Sequence, residues 1–362
     1  MQAEEIVHAV LNLADVKVLI CGLPGALTHY IVDQCRAALA SEYGECAVFN
    51  VNNMAPDTCD QITTSRAPVL LWADSPDRDT AAMAGRADFP ICVLDVSFAE
   101  TVVEFMCTRD VALVDALRVM ALAKIGMWQV VENGEVHRVG TNGGLEGIIR
   151  EIIDAAALRG PGVRGNSMAP TLPSQTALQA ALTAHGIDEV HASAMTPQEV
   201  EAIAFYDVFY GHWRASSATR LDVPLCVLYS GVPPHRPNPE PTLDLVGPQR
   251  VLTFGPFAYL PEGHWDLHFQ FTASENTPSN SVMLDVFADM EVKASINFEL
   301  DKDGEFAYAC EFDITDTWHT FEFRTHLRRG AIGGLLKLKS LRVSRKERVL
   351  DIAPKINLCH VQ

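Results

Sequence analysis

The sequence lacks any run approaching about 18 uncharged apolar residues, so no segment is long enough to cross a bilayer as a helix. It has little positive charge: 28 Lys and Arg stand against 46 Asp and Glu, a formal net charge of −18. A surface of that sign repels phosphate backbones and anionic lipid, which sets aside nucleic-acid binding and membrane insertion. The first ten residues carry Glu4 and Glu5 and no basic side chain before His8, so the basic and apolar segments of a secretory signal are missing. The expectation is synthesis in the cytoplasm, with release as part of a larger assembly as the route outward. The nine cysteines never fall in C-x-x-C spacing and are odd in number, which favours free buried thiols over disulfides or structural zinc. G-x-S-x-G, H-E-x-x-H and an EF-hand loop are also missing. No catalytic residue and no cofactor is therefore assigned.

What is present is enough for two folded domains. The chain has 362 residues, of which 48% are hydrophobic and 20% charged, a balance that excludes a mostly disordered protein. Short apolar runs at Val16–Cys21, Cys46–Val51, Pro68–Trp72 and Pro90–Val96 alternate with helical periods at Thr28–Leu39, Asp77–Ala84 and Phe98–Thr108. Strands alternating with helices predict an α/β domain, a largely parallel sheet in a three-layer arrangement, over 1–160. Further helical periods run over 3–14, Val111–Val131 and Leu145–Leu158. Residues 161–244 are expected to hold a Gly- and Pro-rich surface segment, a helix opened by a capping box at Thr196-Pro197-Gln198-Glu199, and a proline-rich linker at 231–242.

Beyond the linker the period becomes two. Trp265, Leu267, Phe269 and Phe271 alternate with Asp266, His268 and Gln270, and Phe306 to Ile314 and Phe321 to Leu327 repeat the pattern. An all-β antiparallel sandwich, jelly-roll-like, is predicted over 245–350, with 351–362 as a tail.

The turn after the first strand, Cys21-Gly22-Leu23-Pro24-Gly25-Ala26-Leu27-Thr28, resembles the phosphosulfate loop of the sulfotransferase family. Gly22, Pro24, Gly25 and Thr28 mark the degenerate phosphate loop. Where the family has its cation, serine and glycine, this chain has Gly25, Ala26 and Leu27. The family's later arginine is also missing near Val93–Val103, although Ser97 is present. A phosphate cradle needs exposed backbone amides, a helix N-terminus and a cation. The preferred reading is a strand-to-helix turn kept from a nucleotide-binding fold without its ligand.

The segment Leu260-Pro261-Glu262-Gly263-His264-Trp265 and the strands that follow resemble carbohydrate-binding-module and galactose-binding-like sandwiches, including the tails of bacterial proteins associated with surface polysaccharides. The resemblance implies a polysaccharide as partner, bound by the sandwich of a non-catalytic protein that serves as an attachment or spike component. The alternative is a glycan-directed sulfotransferase or another nucleotide-dependent transferase. A purely structural protein, partnered by its own copies or by an assembly, is a third class. Candidate sugar contacts are Trp265, His268, Trp318, Arg324, His326 and Arg328. Arginine and histidine can hold acidic sugars by paired hydrogen bonds, and tryptophan can stack on a sugar ring. Each has a plainer explanation. The tryptophans suit the core, the basic residues can pair with Glu311 and Asp313, and His264 with His268 suits a solvated strand face better than a surface metal ion.

Overall fold

The computed structural model describes residues 16–52, 56–140, 144–157, 195–212, 220–233, 235, 242–276 and 280–346. The helical period at 3–14, the whole segment 161–194 and the tail 351–362 lie outside them. The chain divides into two compact units, Met1–Ala112 with Leu122–Ser193, and Leu113–Ala121 with Ala194–Gln362.

The first unit is α/β. Its order is β1 (Val16–Cys21), α1 (Ala26–Tyr43), β2 (Ala47–Asn50), α2 (Pro56–Thr64), β3 (Val69–Ala73), α3 (Arg78–Ala84), β4 (Ile91–Asp95), α4 (Phe98–Arg109), α5 (Leu113–Asn133), β5 (Val136–Gly140) and α6 (Gly144–Ala157). The residues of α5 up to Ala121 belong to the second unit. All five strands are parallel, in the order β2-β3-β1-β4-β5. Val18, Leu19, Ile20 and Cys21 have no exposed surface, as expected of a central strand covered on both faces. The edge strand β5 and the helix α2 are absent from the periodicity. Val136-His-Arg-Val-Gly140 carries too much polar character to read as a buried strand.

Among the described residues seven thiols are free, and Cys21, Cys35, Cys92, Cys226 and Cys310 are buried. Burial pushes the Cys21 thiol up to about 12, and Cys35 likewise, with the neighbouring Cys46 adding to its shift. Both remain protonated and unreactive at neutral pH.

After Leu113–Ala121 of α5, the next described element of the second unit is α7 (Pro197–His212). The predicted capping box is formed: Glu199 N–H donates to Thr196 Oγ1 at 3.3 Å, and Glu199 Oε2 accepts from Thr196 N–H at 2.8 Å. The strands are β6 (Arg220–Val223), β7 (Tyr229–Ser230), β8 (Thr242–Asp244), β9 (Arg250–Phe254), β10 (Ala258–Tyr259), β11 (Gly263–Ser274), β12 (Asn280–Ala288), β13 (Glu291–Leu300), β14 (Gly304–Ile314), β15 (Thr320–Leu327) and β16 (Leu335–Lys346). They form two antiparallel sheets, β13-β12-β15-β9-β7 with β10 on β15, and β14-β11-β16-β6 with β8 on β16. The border expected at 245 therefore moves: β6 and β7 precede the proline-rich stretch, yet both pair into the sandwich. They are too short to show a period of two.

Aromatic rings join the two sheets. Phe269 lies 4.5 Å from Phe323 between centroids, Phe271 lies 5.4 Å from Phe298, and Phe312 stacks on Phe321 at 5.5 Å. Trp265 belongs to the same inward row and is 2% exposed; its Nε1–H donates to the Pro261 carbonyl at 3.0 Å.

Candidate functional site

In the first sheet β1 lies between β3 and β4, and ligands of open α/β sheets bind at the carboxyl ends of such strands. The Gly22–Thr28 turn lies there. Thr28 is buried, and its Oγ1–H donates to the Leu23 carbonyl at 2.7 Å, tying the first turn of α1 back to the loop. Pro24 is buried beside it. The two glycines are required by close approach rather than by a left-handed backbone. A Cβ on Gly22 would collide with Thr28 Oγ1 and stand 2.8 Å from its Cγ2. A Cβ on Gly25 would stand 2.5 Å from Glu104 Oε2 and 3.1 Å from Thr101 Cγ2.

The first amide of α1 is not open. Ala26 N–H donates to Glu104 Oε1 at 2.8 Å. A phosphate at this turn would meet the Glu104 carboxyl group, which opposes a dianionic donor. Beside the turn, Asp74 follows β3 and accepts from Asn52 Nδ2, while its other oxygen lies 3.2 Å from His29 Nε2. His29 meets Trp72 edge-on at 4.9 Å.

Gly22→Ala is expected to lower stability by about 1–3 kcal/mol, the usual cost of forcing a group into packed space. Adding Thr28→Ala should recover part of the loss, because the two side chains compete for one volume. Thermal melts of the two single variants and the double variant check this. A neutral Gly22→Ala would show the approach to be looser than described.

In the sandwich the predicted sugar contacts separate into three places. Trp265 is removed from the candidates, because a buried ring offers no face to a ligand. Trp318 is half-buried in the connection between β14 and β15, its backbone N–H donating to Asp316 Oδ1 at 2.9 Å. Arg324 and His326 share the outer face of β15 as predicted, with Arg328 exposed just past the end of that strand.

The expected partners of the basic residues are wrong. Glu311 and Asp313 lie on β14, in the other sheet. The actual partner is Asp285 on β12, opposite Arg324 in register. Arg324 Nε–H donates to Asp285 Oδ1 at 2.6 Å and Nη2–H to Oδ2 at 3.2 Å, and His326 Nε2 lies 3.1 Å from Oδ2. Arg324 also stacks over the Phe287 ring at 4.4 Å. Asp285 is buried, which works against ionisation, yet the hydrogen bonds from His326 and Arg324 together outweigh burial and hold it below the ordinary carboxylate range. The guanidinium gives two of its five N–H bonds to this buried carboxylate, which fixes its position on the face.

His268 lies elsewhere, on the outer face of β14-β11-β16-β6. Register sets its neighbours: Ala309 and Arg342 flank His268, Glu311 and Ser344 flank Asp266, and Ala307 and Ser340 flank Gln270. His268 Nε2 lies 2.6 Å from Asp266 Oδ2. His264 Nδ1 lies 3.0 Å from Asp313 Oδ1, and its Nε2 lies 3.3 Å from Glu311 Oε2. Lys346 Nζ donates to Glu311, and that bond, joined by His264, holds Glu311 below its ordinary range against a smaller opposing effect of burial. No group of three or more His, Cys, Asp or Glu among the described residues is placed to hold a metal ion.

This face is not flat. A shallow cavity of about 370 Å³ opens over β11 and β14, lined by Asp266, His268, Gln270, Glu311 and Lys346, and by Ala307 and Ala309. The two alanines leave the space, since any longer side chain at those positions would fill it. Sequence pattern located this face through the polar residues of β11. It did not identify the trough, whose signal was the pair of alanines alternating with Phe306, Tyr308 and Cys310.

The second unit is thus an antiparallel sandwich carrying a polar trough on one sheet. No known family profile matches the chain, and no curated protein matches it in sequence. Among solved structures, the sandwich is similar to the xylan-binding module CBM15, at 11% identity over 36% of this chain and 98% of that one, with a TM-score of 0.24. It is similar to the module TmCBM61 in complex with β-1,4-galactotriose, at 13% identity over 29% of this chain and 69% of that one, with a TM-score of 0.22. The EclA C-terminal domain, a sugar-binding protein, gives 12% identity over 37% and 91%, with a TM-score of 0.21. None of these scores reaches 0.5.

Proposed function

We propose that this chain is a non-catalytic binding protein whose sandwich takes a surface polysaccharide along the trough of the β14-β11-β16 face. The observation that carries the reading is the alanine floor, Ala307 and Ala309 on the edge strand β14, beside the hydrogen-bonding row Asp266, His268 and Gln270 of β11. A polyhydroxyl chain needs donors and acceptors in alternation, with little net charge. Gln270 and Ser340 supply both, His268 keeps Nδ1 while its Nε2 is held by Asp266, and Lys346 offsets one of the two carboxylates, Asp266 and Glu311. Neighbouring strands lie about 4.8 Å apart, and same-face residues on one strand about 7 Å apart, a grid on the scale of a sugar ring. In this reading the α/β unit is a scaffold for assembly contacts and takes no nucleotide donor.

The test is binding of the full chain to a polysaccharide array, followed by calorimetry with soluble fragments of whichever glycan binds. Ala309→Trp fills the trough from an edge strand. It is expected to weaken binding at least about tenfold, near 1.4 kcal/mol, while leaving the melting temperature close to that of the parent. Silence on every glycan, or unchanged affinity in Ala309→Trp, would remove the proposal.

A further inference from the structure

Helix α1 begins without a side-chain cap. Its N-cap residue is Gly25, in extended backbone, and its first turn holds no acid. The amides of such an end carry the positive pole of the helix and need an acceptor. The acceptor comes from 78 residues away, where Glu104 on α4 takes the Ala26 N–H. Glu104 is 3% exposed, and its second oxygen, Oε2, has no hydrogen-bond partner. That oxygen lies directly over Gly25, at the position a Cβ would crowd. Thr101, one turn earlier on α4, closes the same side. A carboxylate buried on one hydrogen bond is in a costly place, since desolvation is only partly offset. Burial accordingly raises its pKa, opposed by the Ala26 N–H and by His29 and Arg109.

A planar anion lying on the amide at the start of a helix, over a glycine that leaves it room, is the arrangement in which free oxyanions bind. We propose that this seat is an oxyanion site held shut by its own chain: the Glu104 carboxylate stands where a small carboxylate or phosphate would otherwise lie, and α4 is the element that keeps it there. Withdrawing Glu104 opens the site to a free oxyanion, and with Glu104 in place the site takes none. The inference is independent of glycan binding by the sandwich.

The experiment compares the wild type, Glu104→Ala and Glu104→Gln as full chains. Each is melted in sodium chloride, sodium acetate and sodium phosphate at equal ionic strength. Glu104→Ala is expected to melt below the wild type in chloride and to regain about half of the loss in acetate or phosphate, by mass action on a vacated site. The wild type and Glu104→Gln, whose seats are filled, should respond to neither anion beyond the chloride control. Recovery by acetate alone assigns the seat to carboxylates, and recovery by phosphate extends it to phosphate-class ligands. If Glu104→Ala is unfolded in chloride, refolding yield in the three salts gives the same readout. The proposal is overturned if Glu104→Ala shows no anion response, stays unfolded in all three salts, or if the wild type responds as strongly.

Discussion

Arg324→Leu is expected to destabilise the sandwich by about 3–5 kcal/mol, the usual cost of stranding one member of a buried ion pair. Asp285 is 2% exposed, so water cannot replace the two hydrogen bonds that the guanidinium supplies. The leucine also forfeits the stacking of Arg324 over Phe287. Urea unfolding at neutral pH measures the loss, and a change below about 0.5 kcal/mol would put the pair in the class of exposed salt bridges. The same pair predicts a pH dependence. The folded pKa of Asp285 lies below its unfolded value, near 3.9. Its ionisation therefore stabilises the fold above that value, and the contribution disappears as pH falls through the folded pKa. The stability gap between wild type and Asp285→Asn should be full at pH 6 and close in acid. Asp289, Glu311 and Asp222 are also held below their ordinary values, but they titrate alike in both proteins and cancel in the difference.

Phe323→Ala is expected to cost a similar amount, about 3–5 kcal/mol, for a different reason. The ring has no exposed surface and lies 4.5 Å from Phe269 of the opposite sheet, so truncation leaves a cavity between the two sheets. The loss should appear as a lower urea midpoint with little change in slope. Phe323→Leu, which keeps most of the volume, should cost far less; equal costs would mean that the core collapses around the gap.

The parts of this molecule that the sequence showed are those with a local cause. The alternation of Trp265, Leu267, Phe269 and Phe271 marked β11 because one face is dry. Thr196 and Glu199 marked the start of α7 because a capping box closes within four residues. The carboxyl edge of β1 was legible from Gly22 and Gly25, although their reason, close approach by Thr28 and Glu104, was not. What escaped depends on pairing between distant residues. Asp285 lies in a strand of otherwise mostly buried residues, and only the register of β12 against β15 places it opposite Arg324. Glu311 and Asp313 looked like its equivalent because they precede β15 in the chain, but β14 and β15 belong to different sheets. Glu104 caps a helix from 78 residues away, with no spacing to betray it. The short strands β6 and β7 gave too few residues for a period, and the domain border was misplaced accordingly.

A glycan lying along the alanine-floored trough would shield the strands beneath it. Amide hydrogen exchange of the full chain, with and without a saturating soluble fragment of a glycan that it binds, tests this directly. Slowed exchange confined to β11, β14 and β16 is the predicted result. Protection centred on β12 and β15 around Arg324, with β14 unchanged, would contradict it.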